Sequence, residues 1–262
     1  MIKLAANLSF LYQDVPFLDR FEYAARDGFK GVEYLFPYDH TPQLISDKLA
    51  ANNLQQILFN APPGNWAAGD RGLSAKPGAQ EAFREAVHTA LHYAKTVGCQ
   101  RLHVMSGLRD HSLSFEDQRA LYINNLTDAA KLAAKQDVTL LIEPINTIDM
   151  PGYFLNDFNL AADIITQINS PHLKLQFDIY HCQRICGDVI AHLKQFLPLI
   201  GHIQIANPPH RNEPSMGELN YPYIFEFLEN NDDGWIGCEY KPSQIGPESL
   251  LWAQPYLQKN QA

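Results

Sequence analysis

The sequence predicts a single (β/α)₈ TIM barrel over residues 1–262, and three observations predict it. Eight short apolar runs rich in β-formers alternate with eight longer segments of helical period, the pattern of successive βα units. A chain of 262 residues is the size of one such barrel. No G-x-G-x-x-G follows the first strand, as the competing doubly wound sheet would need at its first βα turn.

The first strand is expected at 2–8 (IKLAANL), and the helix at 15–27 places Phe17, Phe21, Ala24 and Ala25 on one stripe before Gly28, where a left-handed terminal residue fits. Strands at 31–35 (GVEYL) and 54–60 (LQQILFN) flank a helix at 41–53. The helix at 80–97 repeats the stripe with Phe83, Val87, Ala90 and Ala94 and leads into the strand at 101–105 (RLHVM). Helices at 115–136, 157–169, 187–197 and 219–229 precede strands at 138–143 (VTLLIE), 173–178 (LKLQFD), 201–206 (GHIQIA) and 235–240 (WIGCEY), and a helix at 248–258 closes the chain. The one long loop, 61–79, is rich in Gly and Pro and carries Trp66 and Arg71; loops of that length are usually functional or disordered.

Composition narrows the function. At 46% apolar and 19% charged the chain is of globular type. A net charge of −9 argues against nucleic acid as partner, which calls for a concentrated basic face. The apolar run at the N-terminus is too short for a signal peptide, and no stretch reaches the roughly 18 residues of a membrane span, so a cytoplasmic protein without a membrane partner is expected. Cys99, Cys182, Cys186 and Cys238 lack zinc-site C-x-x-C pairs and are expected as free, mostly buried thiols; Cys182 and Cys186 can share a helix face at i,i+4, with a redox or metal role disfavoured.

In a barrel the chemistry sits at the C-terminal ends of strands. Four consecutive strands carry polar residues there: Glu143, Asp178, Gln204 and Glu239, spaced by 178 − 143 = 35, 204 − 178 = 26 and 239 − 204 = 35 residues, each close to one βα unit. A single strand-end acid is as easily a helix cap. Three carboxylates converging on one mouth repel one another unless a cation joins them, and an all-oxygen donor set suits one divalent metal, Mg²⁺ or Mn²⁺, better than Zn²⁺.

These residues lie within motifs that carry a resemblance: AANLSF at 5–10, GVEYLFPY at 31–38, NWAAGDRG at 65–72, LIEPIN at 141–146, FDIYH at 177–181, GHIQIA at 201–206, GELNYPY at 217–223 and GWIGCEYKP at 234–242. Together they make the chain similar, nearly end to end, to the hydroxypyruvate isomerases of the xylose-isomerase-like barrels, including their 2-oxo-tetronate isomerase branch. The resemblance implies that Glu143, Asp178, Gln204 and Glu239 are metal ligands and that Glu143 and Glu239 are also proton donor and acceptor. Sugar epimerases look similar around LIEPIN but place His where this chain has Gln204. The implied reaction moves a carbonyl in a small-molecule hydroxy-keto acid through an enediolate, from hydroxypyruvate to tartronate semialdehyde or from 2-oxo-tetronate to 3-oxo-tetronate.

His181, Arg211, Lys241 and Arg71 are candidates for binding substrate oxygens or the carboxylate, and Trp66 for closing over the substrate or pinning its loop. His88 and His92 share a helix side with Glu81, Arg84 and Lys95, so they face water and are excluded as ligands, while His103 reads as a hydrogen-bonded barrel side chain. Rival functions are a ketose 3-epimerase using the same two carboxylates, a metallophosphodiesterase, for which neither His-rich metal sites nor a basic groove are present, and a non-catalytic sugar-acid-binding barrel. Oligomeric state is left open.

Overall fold

The computed structural model describes residues 2–232 and 234–257. Residue 258, the expected end of the last helix, and the extremes of the 1–262 domain lie outside them. Eight parallel strands, β1 (Lys3–Asn7), β2 (Gly31–Tyr34), β3 (Gln55–Asn60), β4 (Arg101–His103), β5 (Thr139–Ile142), β6 (Leu173–Asp178), β7 (Ile200–Gln204) and β8 (Trp235–Cys238), hydrogen-bond in sequence order and close as β8 pairs with β1. The expected barrel is the observed fold. Among the described residues no helix is long and apolar enough to cross a membrane.

The helices are α1 (Arg20–Arg26), α2 (Pro42–Ala51), α3 (Gln80–Val97), α4 (Phe115–Ala134), α5 (Phe158–Ile168), α6 (Ile179–Ile185), α7 (Val189–Phe196) and α8 (Tyr221–Asn231). Five of them begin on a side-chain cap. The side chains of Thr41, Ser114, Asp157, Asp178 and Asn220 accept N–H groups at the starts of α2, α4, α5, α6 and α8. The α3 stripe is buried from Phe83 to Val97 and stops at left-handed Gly98, and His88 and His92 are exposed as expected.

Three elements depart from expectation. The 15–27 segment is a 3-10 turn, Phe17–Asp19, followed by α1, since Pro16 cannot extend a helix backwards. The segment expected as one helix at 187–197 is preceded by the extra α6, and consecutive left-handed residues Gly187 (φ 66°) and Asp188 (φ 45°) break the two apart. The last helix, expected at 248–258, is a 3-10 stretch over Pro247–Ala253. Strands β5 and β8 also end one and two residues early, so Glu143 and Glu239 stand just beyond the sheet, free of the ladder.

Loop 61–79 is anchored. Gly72 bridges to Ser106, a Cβ there would strike the Met105 carbonyl, and Leu73, Ser74 and Ala75 are buried. Its tip, residues 64–69, stands out, with Trp66 at 41% exposure.

Candidate active site

Asp178 and Gln204 are the last residues of β6 and β7 and are register partners; Glu143 and Glu239 each follow the end of a strand. All four are buried at one end of the barrel. Asp178 divides its work between its two oxygens. Oδ1 accepts the Tyr180 and His181 backbone N–H groups at 2.7 and 3.3 Å, capping α6, while Oδ2 lies 3.4 Å from Arg211 Nη2 and 3.7 Å from His181 Nε2. Asp178 therefore caps α6 with one oxygen and faces the cluster with the other.

Arg211 is more deeply placed than the sequence suggests. An antiparallel bridge between Asn207 and Asn212 folds the loop after β7 back on itself, and Arg211 sits in it with a left-handed backbone at φ 59°, an uncommon conformation for a side chain of this kind and one that clusters at functional sites. Its guanidinium lies 5.0 Å from the ring centres of both Phe10 and Tyr180, and Nη2 donates to Glu239 Oε1 at 2.9 Å. It stands inside the acidic cluster, not at its edge.

The electrostatics of the cluster are unbalanced. Burial first, and then the charges of Glu239 and Asp178, push the Glu143 carboxyl well above its usual range. Burial pushes Glu239 up to about 8 against the opposing pull of Arg211, and raises Asp178 in the same way. Glu143 Oε1 is buried without a hydrogen-bond partner. The two neighbouring histidines cannot supply the missing positive charge, because burial lowers His181 well below 6.5 and His103 to about 3. His181 Nδ1 faces the Asn146 backbone N–H (3.3 Å) and side-chain amide (2.7 Å), which assigns the ring proton to Nε2, turned toward Glu143 and Asp178. His103 lies against Glu143, its Nδ1 3.6 Å from Oε2.

This environment fits a divalent cation. Glu143, Asp178 and His181 each offer a ligand atom within 4.8 Å of the others, one carboxylate oxygen is orphaned, and the Glu143 carboxyl is raised by burial and by the charges of Glu239 and Asp178. Gln204 adds an amide whose orientation is dictated from behind. Its Nε2 donates to Glu33 Oε1 at 2.8 Å and its Oε1 accepts from Gln176 Nε2 at 2.6 Å, leaving one carbonyl lone pair.

Glu33, which holds Gln204 from behind, is the residue that reading the strand ends misses. It is fully buried in β2 and accepts from Asn7 Nδ2 at 2.9 Å and His202 Nε2 at 2.7 Å as well as from Gln204; a Cβ at Gly237 would collide with its carboxylate. The available signal was an acid in the middle of the apolar run GVEYL, which a barrel buries.

The remaining candidates stand on the rim. Arg71 lies 4.2 Å over the Trp66 ring and donates to the Trp66 and Asp70 carbonyls, and Trp66 packs against Phe36, so the loop tip holds itself together. Lys241 lines a separate cavity of about 890 Å³ with Phe10, Tyr12, Arg26 and Leu250. Among the described residues, no hydrogen bond or ion pair joins any of these three to Glu143, Asp178, Gln204 or Glu239.

Comparison with known proteins matches residues 21–258 to the xylose isomerase-like TIM barrel model. A 2-oxo-tetronate isomerase of Cupriavidus necator is 52% identical, over 98% of this chain and 99% of its own. Hydroxypyruvate isomerase of Escherichia coli is 44% identical, over 98% and 100% respectively. Among solved structures, a protein from Brucella melitensis described as a family 2 AP endonuclease superposes with a TM-score of 0.96 at 44% identity, covering 98% of this chain and 100% of that one.

Proposed function

The chain belongs to the hydroxypyruvate and 2-oxo-tetronate isomerases of the xylose isomerase-like TIM barrel family, and from that premise we propose that it shifts the carbonyl of a short hydroxy-keto acid by one carbon. The substrate is hydroxypyruvate, giving tartronate semialdehyde, or the four-carbon 2-oxo-tetronate, giving 3-oxo-tetronate. The observation that carries the proposal is the buried convergence of Asp178 and Glu239 on Arg211, beside Glu143, which keeps one oxygen unpartnered.

Glu143, Asp178, Gln204 and Glu239 are the residues that would hold one Mg²⁺ or Mn²⁺. Bound there, the ion supplies Lewis-acid polarisation of the substrate's adjacent carbonyl and hydroxyl oxygens, making the intervening C–H more acidic. Glu143 and Glu239 follow β5 and β8, well apart around the barrel, and both are buried carboxyls whose affinity for a proton is raised, Glu239 up to about 8. One takes the proton from the hydroxyl-bearing carbon and the other returns a proton to the former carbonyl carbon, through an enediolate, while the hydroxyl proton passes to the former carbonyl oxygen and the two carboxyls reset by exchange with water. His181 keeps an N–H directed into the site, able to donate to a substrate oxygen while staying neutral. Arg211, the only one of the three basic candidates that touches the acids, is the group best placed to receive the substrate carboxylate.

The test is an NMR time course of the full chain with each substrate, with Mg²⁺ or Mn²⁺ and with a chelator. Carbonyl migration on either acid, abolished by chelation and restored by the ion, is the expected result. Inversion of a stereocentre without migration would make the protein an epimerase, and binding without turnover would make it a sugar-acid-binding barrel.

A further inference from the structure

A second cluster of ligating atoms lies on the outer side of α6. Cys182 and Cys186, one helical turn apart, bring their sulfurs to 3.9 Å, and the left-handed pair Gly187 and Asp188 turns the chain so sharply that His192, in the first turns of α7, returns to set Nδ1 3.9 Å from Cys186 Sγ. The two sulfurs and the ring nitrogen all fall within 4.8 Å of one another. The sequence pairs the two cysteines but gives no hint of the imidazole, which arrives only because the helix breaks. Three of the four free cysteines are buried, in line with the expectation of mostly buried thiols; Cys186 is exposed beside buried Cys182, so the cluster opens to solvent.

We infer that Cys182, Cys186 and His192 form a binding site for a thiophilic d¹⁰ cation of the Zn²⁺ class, distinct from the acidic centre. A tetrahedral ion with bonds of about 2.3 Å to sulfur and about 2.0 Å to nitrogen sets its ligand atoms roughly 3.5–3.8 Å apart, so the observed separations need only small side-chain rotations. The ligand softness is the opposite of the oxygen-rich acidic centre, so the two sites select different ions. Asp157 and Asp188 lie near enough to act on the Cys186 thiol, adding negative potential that favours a cation. His192 Nδ1 now sits 3.1 Å from the Asp188 carbonyl, a contact that already turns the ring toward the sulfurs and that the ion replaces. The thiols are protonated when the site is empty, since burial raises both, so loading releases protons and strengthens as pH rises. With three protein ligands the fourth position stays open to water. Because α6 starts on Asp178 and carries His181, an ion here ties the far end of that helix to α7.

The experiment titrates Cd²⁺ into the reduced full chain held in saturating Mg²⁺ and follows the ultraviolet thiolate-to-cadmium charge-transfer band, to which carboxylate ligands do not contribute. One equivalent should saturate the band with release of protons. Cys186→Ser should abolish it, and His192→Ala should weaken binding at least tenfold, both with unchanged circular dichroism and unchanged isomerase activity in the absence of Cd²⁺. A reduced protein without the band overturns the proposal, as does a band of equal amplitude and midpoint in both variants, which would place the cadmium on Cys99 or Cys238. The readout is independent of turnover, so failure of the isomerase reading leaves this result standing, and the reverse.

Discussion

At the scale of single residues the proposed chemistry rests on which carboxylates carry protons. Glu143→Gln and Glu239→Gln keep size and hydrogen-bonding capacity but cannot accept a proton, and each is expected to lower kcat by about 10²-fold or more, the usual scale for an acid or base. Turnover in D₂O should place deuterium at the carbon that receives the proton, because a carboxylate-held proton can exchange with water. Near-normal kcat in both variants together with no solvent deuterium would defeat the two-glutamate mechanism. Glu33 acts one layer further back. Glu33→Gln substitutes an amide that can donate as well as accept, so the Gln204 amide loses the partner that dictates which end faces forward. Outer partners of this kind typically cost about 10- to 100-fold in metal affinity, which isothermal titration with Mn²⁺ would measure. Unchanged affinity would mean that Gln204 is oriented by Gln176 alone.

At the scale of elements, strand and helix meet in Asp178, whose two oxygens have two separable duties. Asp178→Ser retains an oxygen able to cap α6 and loses the one facing the cluster; Asp178→Ala loses both. Both variants should lose ion binding, and the Ala protein should be less stable than the Ser protein by about 1 kcal/mol, the usual worth of an N-cap, as read from urea unfolding. Equal stability would show that α6 is held by its packing alone. The break between α6 and α7 was not legible in the sequence, since α6 is only two turns long with no stripe of its own and the pattern VIAHLKQF announces only the second helix. By contrast α3 was readable to the residue, because a long amphipathic stripe ending in Gly leaves little choice.

At the scale of the whole molecule, the buried acids and histidines set a pH dependence of stability whose sign follows from their shifts. Without the ion, Glu143, Asp178 and Glu239 have raised folded pKa values, so the native state binds more protons than the unfolded one and stability falls as pH rises from the ordinary carboxyl range toward about 8 for Glu239. His181 and His103 have lowered values, and their cost appears as pH falls below 6.5. The two effects oppose each other in mildly acidic solution, and above pH 6.5 only the carboxyls act. The chelated protein should therefore lose stability between pH 6.5 and 8, and Mg²⁺ or Mn²⁺, which binds the deprotonated acids, should flatten or reverse that slope. Urea midpoints across this range, with chelator and with ion, would check it; identical slopes in both conditions would remove the cation from the acidic centre.

The barrel and the four strand ends that face its mouth are legible from residue order alone, because strand and helix periodicities are local and eight repetitions of them admit one closed arrangement. Residue order also marks His181 and Arg211 by their positions after strands. That Arg211 enters the acidic cluster while Arg71 and Lys241, among the described residues, make no hydrogen bond or ion pair with its acids follows from how each loop folds back, which no local pattern shows. The same is true of Glu33 behind Gln204, 171 residues away in the chain, and of His192 beside the two cysteines. A side chain's partners across a barrel are set by closure and packing, which no local pattern encodes.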